Sequence, residues 1–264
     1  MLNLDDILLS SIKKLIKNST SDKKFKVIIN KHKNKLHFIP FEYRVLGGIL
    51  QSMNIQFGNF IEELMCGLVK NSGYEILTKY SGKKSNNFKI SNKIDNLIDT
   101  YITNAQTKTN FDILKEFRTL QYQILNDKSI ETINLRHDID LLFKDKNNKI
   151  YYLEIKYNDD HDTGKFMDIN RKFIKTYAYL VRELNQDIKP ILFYFNNKKM
   201  KGNIYLDENL SIYRGKRFFD EFLNFDYEDL KNKLENVSSS KENIEIFNNL
   251  YKNIMKLNKN NLNI

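Results

Sequence analysis

The stretch RHDIDLLFKDKNNKIYYLEIKY, residues 136–157, contains two apolar runs on either side of the turn-rich segment KDKNNK. Short apolar runs bounded by turn residues are typical of strands, so we predict strands over 138–143 and 150–157. Charged residues stand inside both runs, where a buried strand ordinarily has none. The stretch therefore raises the question of which chemistry places aspartates, a glutamate and a lysine within a sheet.

The alternation of a strand sorts these charges onto one face. Alternate side chains share a face and lie roughly 7 Å apart along it. Glu154 and Lys156 therefore point the same way, while their apolar neighbours point into the core. In the first run, Asp138 and Asp140 share a face in the same manner. If the two runs pair as a hairpin, Asp140, Glu154 and Lys156 converge on one patch.

This combination of side chains suits metal-assisted hydrolysis of a phosphodiester. Two carboxylates can hold Mg²⁺, a hard cation that prefers oxygen ligands, and the main-chain carbonyl of Ile155 is a candidate third ligand. The metal would acidify a water and neutralise charge on the phosphate, and Lys156 would orient that water or stabilise the transition state. A single Glu-x-Lys is more often part of a solvated edge hairpin. The whole arrangement of strands, turn and following helix favours the site.

Hydrophobic periodicity along the rest of the chain predicts an α/β domain. The residues after Pro190, ILFYF, are expected to form a central buried strand. No Pro- or Gly-rich linker divides the chain, so we predict one domain over 1–264. The remaining expectations are helices over 4–16, 43–54, around 60–69, 91–104, 111–126, 168–185 and at the C-terminal end, strands over 25–29 and 74–80 and near 203–206 and 211–214, and a polar loop over 81–89.

The charge balance points to a polyanion as partner. Lys and Arg number 43 against 33 Asp and Glu, a formal net charge of +10, which is typical of proteins that bind nucleic acid. The alternative is a base-composition bias, since Lys and Asn are abundant throughout, as in proteins of AT-rich genomes. With Cys66 as its single cysteine, the chain has no intramolecular disulfide. No apolar run approaches roughly 20 residues, so we expect a cytoplasmic protein without a membrane partner.

The order Asp-Ile-Asp-Leu-Leu-Phe followed by Glu-Ile-Lys resembles the PD-(D/E)xK nuclease superfamily. The proline of that pattern is missing, and His137 or Ile139 stands in its place. Asp140 matches the family's first aspartate better than Asp138, because the apolar run begins directly after it. The resemblance implies a restriction-endonuclease-like core, a mixed central sheet flanked by helices, over about 55–196. A helical N-terminal part, 1–54, and a strand and helix extension, 197–264, would flank this core.

The resemblance also extends to a glutamate on the helix before the sheet. The family often has the pattern Gly-x-x-x-Glu there, followed by a Gly and a strand. Gly58, Glu62 and the stretch NSGYEILTKY fit this pattern, so the resemblance implies that Glu62 supports the metal site. Glu63 is the alternative, and either residue would otherwise be an exposed helix glutamate.

Candidate contacts to DNA lie beside the two charged runs. The segment NDDHDTGK, 158–165, directly follows the second run, and loops next to a catalytic strand often carry function. Thr163 and Lys165 could contact phosphates or base edges, and His161 could donate to the scissile phosphate. Arg136 and His137, at the start of the first run, could also reach DNA. The alternative for 158–165 is a polar turn that leads into the next helix.

The resemblance implies a Type II restriction endonuclease. Such an enzyme cuts double-stranded DNA at a short palindrome with Mg²⁺ as cofactor and usually acts as a homodimer. A gene for a cognate DNA methyltransferase is expected nearby. Within this class, EIKYNDDHDTGK resembles the HinfI-like enzymes, which cut GANTC. The alternatives are a structure-selective repair nuclease of the same superfamily, such as a Holliday-junction resolvase, and a non-catalytic DNA-binding protein.

Overall fold

A computed structural model of the chain describes residues 4–19 and 21–257. The helices in these ranges are α1 (Leu4–Ser19), α2 (Asp22–Lys33), α3 (Phe41–Asn71), α4 (Asn92–Thr107), α5 (Ile113–Leu125), α6 (Thr163–Leu184), α7 (Gly215–Phe222), α8 (Tyr227–Ser239) and α9 (Lys241–Met255). The strands are β1 (Glu75–Ile76), β2 (Gly82–Ser91), β3 (Thr132–Ile139), β4 (Leu141–Lys144), β5 (Ile150–Lys156), β6 (Ile188–Tyr194) and β7 (Ile212–Arg214).

The described residues divide into two compact units. Glu62–Asp226 form one, and those within Met1–Ile61 and Tyr227–Ile264 form the other, so that α3 contributes to both. The prediction of one domain over 1–264 also covers 1–3, 20 and 258–264, which lie outside the described residues. The single-domain organisation stays a prediction.

A five-stranded mixed sheet forms the centre of the unit Glu62–Asp226. Its order is β1-β4-β5-β6-β7, with antiparallel pairing from β1 to β5 and parallel pairing from β5 to β7. The predicted α/β class, with a mixed sheet and flanking helices, is confirmed. The first four residues of the apolar run ILFYF lie in β6, between β5 and β7, and Phe195 follows the strand; all five are buried, as predicted.

Helix α6 closes one face of this sheet. Its apolar stripe includes Phe173, Ile174 and Tyr177, which are fully buried in a core shared with α4, α5, β5 and β6. The ring of Phe173 stacks on Tyr152 of β5, with 5.4 Å between the centroids. The helix that follows the Glu-Ile-Lys strand is therefore fixed directly against that strand.

Strands β2 and β3 form a separate antiparallel ribbon, and the prediction of a polar loop over 81–89 is wrong. The segment alternates as a half-buried strand does: Phe88 and Ile90 are buried, and Asn87 and Lys89 are exposed. The abundance of Lys, Ser and Asn conceals this alternation in the sequence. The pairing partner, β3, lies far along the chain, so local composition could not reveal it.

The other unit is helical where it is described. Its core contains Ile28, Ile29, Phe41, Val45, Ile49, Met53 and Ile254. The strand predicted over 25–29 is wrong, because these residues lie in α2, where Ile28 and Ile29 face that core. The two helices predicted over 43–54 and 60–69 belong to the single helix α3. Among the residues that the structure describes, no helix is long and apolar enough to cross a membrane.

Candidate active site

Asp140 lies at a break between two strands. The strand predicted over 138–143 is divided, because β3 ends at Ile139 and β4 begins at Leu141. The break lets the Asp140 carboxylate turn toward the end of β5, where its Oδ2 accepts a hydrogen bond of 2.8 Å from the backbone N–H of Ile155. The Lys156 ammonium lies 3.4 Å from the same oxygen. Asp140 is thus fixed beside the Glu-Ile-Lys segment, as the hairpin hypothesis required.

Glu154 is a fully buried carboxylate in the middle of β5. Its Oε1 accepts hydrogen bonds from the ammonium groups of Lys156, at 2.8 Å, and Lys172, at 3.0 Å. Its Oε2 accepts a hydrogen bond of 2.8 Å from the hydroxyl of Tyr152. Both oxygens are therefore held by donors, which compensates the loss of water around a buried charge.

Three oxygen atoms converge on the Lys156 ammonium. They are Glu154 Oε1 at 2.8 Å, the main-chain carbonyl of Ile155 at 2.8 Å and Asp140 Oδ2 at 3.4 Å. The strand alternation placed Glu154 and Lys156 on one face, and the structure brings them together with Asp140. The carbonyl of Ile155, predicted as a third ligand, belongs to the same group.

The electrostatics keep Glu154 and Lys156 charged. Burial raises the pKa of Glu154, but the Lys156 and Lys172 ammonium groups and the hydrogen bonds outweigh it and bring the pKa to about 2. Burial lowers the pKa of Lys156, yet the Glu154 and Asp140 carboxylates hold it above its ordinary value. Burial raises the pKa of Asp140, and the Glu154 carboxylate adds to that rise. Glu154 is therefore the firmly ionised member of the carboxylate pair.

These atoms suit a hard divalent cation. Carboxylate and carbonyl oxygens are the ligands that Mg²⁺ prefers, and Mg²⁺ commonly binds through one or two carboxylates and keeps several waters. No group of three or more His, Cys, Asp or Glu side chains that could hold a metal occurs among the described residues. The candidate ligands are accordingly two carboxylates, Asp140 and Glu154, with the Ile155 carbonyl.

Glu62 lies on α3 within the electrostatic field of this site. Burial raises its pKa, and the Asp140 carboxylate raises it further. Glu63 is exposed, whereas Glu62 is half-buried. Of the two glutamates considered from the sequence, Glu62 is the one whose carboxylate interacts with Asp140.

Asp138 has a different position from Asp140. Its Oδ1 accepts a hydrogen bond of 2.6 Å from the backbone N–H of Ser85 in β2. Ser85 has a positive φ of 49°, at an irregularity in the β2–β3 register. Asp138 therefore ties the two strands of the ribbon together, and Asp140 is the aspartate that reaches Glu154 and Lys156.

The residues predicted from the segment 158–165 lie after β5, but the loop is shorter than expected. Helix α6 begins at Thr163, and the Asp162 side chain caps it by accepting a hydrogen bond of 2.9 Å from the backbone N–H of Lys165. Thr163 and Lys165 are exposed in this first turn. His161 is half-buried, and burial followed by the charges of Lys165 and Lys156 lowers its pKa. Of the three, His161 lies within the electrostatic field of Lys156.

Arg136 and His137 point to opposite faces of β3. Nδ1 of His137 lies 3.1 Å from Thr176 Oγ1, and its ring meets that of Tyr179 edge-on. His137 is thus packed against α6. Arg136 is exposed on the other face of the ribbon.

The sequence reasoning missed Lys172, Tyr152 and Asp159. Lys172 lies in α6 one residue before the buried Phe173, but its side chain is partly exposed, and the sequence carries no signal for its contact with Glu154. The carboxylate of Asp159 is buried and binds the Arg214 guanidinium at 3.0 Å. It also accepts hydrogen bonds from the backbone N–H groups of Met200 and Gly202, at 3.0 and 3.1 Å. Asp159 therefore anchors the loop after β6 beside the end of β5.

The sequence is similar to one kind of enzyme over nearly its whole length. A family model described as Type II restriction endonuclease, HinfI, matches residues 1–238. The Type II restriction enzyme HinfI of Haemophilus influenzae is 54% identical over 257 residues, which is 96% of this chain and 98% of the relative.

Proposed function

Because the chain belongs to the HinfI family of Type II restriction endonucleases, we propose that it cuts double-stranded DNA at GANTC with Mg²⁺. Membership of the family confirms the predicted activity, a site-specific DNA endonuclease. The proposed recognition sequence GANTC rests on the resemblance of the stretch EIKYNDDHDTGK to the HinfI-like enzymes. Both alternatives considered from the sequence, a junction-selective nuclease and a non-catalytic DNA-binding protein, lose their support.

The observation that carries the proposed mechanism is the convergence of Asp140, Glu154 and the Ile155 carbonyl on one cationic group. In the proposal these three oxygens hold Mg²⁺. When bound, the metal supplies positive charge at the phosphate and a more acidic water.

The protein's own side chains perform the remaining tasks. Lys156 stabilises the negative charge that develops on the phosphate and orients the attacking water. Lys172 and Tyr152 hold the Glu154 carboxylate in place. Glu62 would support the metal site from α3, because a nearby cation would offset the repulsion between its carboxylate and that of Asp140.

Several further features belong to the same proposal. Thr163, Lys165 and His161 would contact the DNA backbone beside the site, and Arg136 and His137 belong to the strand that precedes it. Two copies of the chain would act as a homodimer, because a two-fold symmetric DNA site is matched by a two-fold symmetric protein. We place the enzyme in the cytoplasm, with the gene of a GANTC-modifying DNA methyltransferase nearby.

A digest of plasmid DNA of known sequence tests this function. With Mg²⁺ we expect discrete fragments whose mapped ends all lie at GANTC. EDTA should stop the reaction, and excess Mg²⁺ should restore it. Fragments with other ends would refute the recognition sequence, a smear would refute site specificity, and undiminished cutting in EDTA would refute the metal. Sedimentation of the protein should give twice the mass of one chain.

A further inference from the structure

One face of the β2–β3 ribbon presents four exposed polar side chains. In the register of the ribbon, Asn87 lies opposite Arg136, and Lys89 lies opposite Asn134. Opposite residues share a face, so all four stand on the outer face. Each is exposed. None of the four side chains forms a hydrogen bond or an ion pair with another residue in the described part of the chain.

The ribbon that carries these side chains is held firmly. On its inner face, Phe88 stacks on Tyr179 of α6 with 5.8 Å between ring centroids, and His137 contacts Thr176. The Asn86 side chain donates a hydrogen bond of 2.8 Å to the carbonyl of Tyr80. The backbone that carries the outer polar side chains is therefore already ordered, so little further backbone entropy is lost when they bind a rigid partner.

The outer face runs directly into the active site. β3 ends at Ile139, and Asp140 follows it. Arg136 lies four residues before Asp140, which corresponds to about 13 Å along an extended strand. A duplex whose phosphate lies at Asp140 would therefore have neighbouring base pairs within reach of the ribbon.

The charge and chemistry of this face fit the major groove of DNA. The ribbon carries four permanent cations, Lys83, Lys84, Lys89 and Arg136, against the single carboxylate of Asp138, which is bound to Ser85. The major groove admits a two-stranded β-ribbon, whereas the minor groove is about half as wide. In the major groove, Arg and Lys pair with guanine O6 and N7, and Asn pairs with adenine N6 and N7.

We propose that the outer face of the β2–β3 ribbon enters the major groove and reads the recognition sequence, with Arg136 on guanine and the opposite Asn87 on the neighbouring adenine. Lys89 and Asn134 lie one pair further along the same face. The assignment rests on the proposed function and adds the base-reading residues to it. In this assignment the ribbon determines which DNA sequence is bound, and the site that begins at Asp140 cleaves the DNA.

Replacing N7 of guanine by carbon tests the assignment for Arg136. The measurement is kcat/KM for cleavage of a GANTC duplex and of the same duplex with 7-deazaguanine within the site. For the unaltered protein, kcat/KM should fall roughly tenfold or more on the 7-deazaguanine duplex, because a charged hydrogen bond is lost. Arg136→Ala should cut the ordinary duplex roughly 10- to 100-fold less well and should be indifferent to the analogue. Asn87→Ala and 7-deazaadenine form the parallel experiment.

Matched controls separate base reading from other effects. Arg118→Ala in α5 and Asn147→Ala in the β4–β5 turn alter exposed residues that are not part of the ribbon, and both should behave as the unaltered protein does on every duplex. A 7-deazaguanine outside GANTC should have no effect. If a ribbon variant cuts too slowly to follow, the binding of the same duplexes in a Lys156→Ala background with Mg²⁺ gives the comparison, and thermal unfolding shows whether the variant is folded.

The possible outcomes are distinct. An Arg136→Ala variant that is still penalised by 7-deazaguanine, or an unaltered protein that is indifferent to both analogues, would overturn the proposal. An equal loss of affinity for specific and unrelated duplexes would make the ribbon a phosphate contact, which also overturns it. The proposal would also be overturned if, in the absence of DNA, the unaltered protein is a dimer and the Arg136→Ala variant is a single chain. The outer face of the ribbon would then contact a second copy of the chain. An unaltered protein that fails to cut GANTC would refute the proposed function instead.

Discussion

Lys156 carries the positive charge at the centre of the site. Its ammonium is the group on which Asp140, Glu154 and the Ile155 carbonyl converge. We expect Lys156→Ala to lower kcat by more than about a hundredfold, because the charge that faces the phosphate is removed. Affinity for the GANTC duplex should change little. Single-turnover cleavage and fluorescence anisotropy measure the two effects, and near-normal cleavage by the variant would refute the site assignment.

Lys172 is a positioning residue that acts on the site through the Glu154 carboxylate. It contacts Oε1 of Glu154 and would hold that carboxylate toward the metal. Removing a group that orients a metal ligand typically costs roughly 10- to 100-fold in metal affinity or activity. Lys172→Met should therefore raise the Mg²⁺ concentration needed for half-maximal cleavage by roughly tenfold or more.

The adjacent turn of α6 offers a control for Lys172. Lys175 pairs with Asp95, at 2.6 Å, and with Asp99, at 3.3 Å, rather than with the site. Lys175→Met should lower the thermal stability while leaving the Mg²⁺ dependence unchanged. Equal Mg²⁺ requirements in the two variants would show that Lys172 serves the fold alone.

At the scale of elements, the connection between β5 and the loop after β6 depends on Asp159. Burial raises the pKa of this carboxyl, but the N–H groups of Gly202 and Met200 and the Arg214 guanidinium outweigh burial and lower the pKa below its ordinary value. A depressed pKa in the folded state stabilises the protein above the unfolded pKa of about 4, and the contribution disappears as pH falls through the lower, folded pKa.

Asp159→Asn should accordingly destabilise the protein by about 2–3 kcal/mol at pH 7, because Arg214 loses a buried partner. The difference from the unaltered protein should shrink as pH falls from about 4 toward 2. Urea unfolding across this range measures it. Asp160→Asn is the matched control, since Asp160 is exposed and lies 3.8 Å from Lys201, and it should cost under about 0.5 kcal/mol. A pH-independent difference would contradict the role of the charge.

The elements also show what sequence could predict. The alternation in β5 placed Glu154 and Lys156 correctly, because strand period is a local property. The break at Asp140 and the strand β2 were missed, since both depend on partners distant in the chain: Ile155 for Asp140, and β3 for β2. Lys172 and Asp159 were missed for the same reason. Their roles come from atoms on other elements, and no spacing in the sequence encodes such a contact.

At the scale of the whole molecule, the net charge of +10 has two explanations: phosphate binding and base-composition bias. The two explanations predict different effects of salt concentration on the affinity for DNA. A protein that neutralises Z phosphates shows a slope of about −0.9Z in a plot of log affinity against log salt concentration. Charge that merely reflects composition is spread over the surface, and little of it displaces counterions from one duplex.

We therefore expect binding to a duplex without GANTC to weaken steeply with salt. Six or more phosphate contacts per dimer would correspond to a loss of affinity of about a thousandfold between roughly 50 and 200 mM salt. Changing Lys83 or Lys84 of the ribbon to Ala should reduce the slope of log affinity against log salt by about one for each phosphate that the variant no longer neutralises. Lys146→Ala, in the exposed β4–β5 turn, is the control and should leave the slope unchanged. Anisotropy titrations at several salt concentrations measure this. A slope near zero would assign the basic surplus to composition, and the ribbon would then have to bind DNA through its polar groups alone.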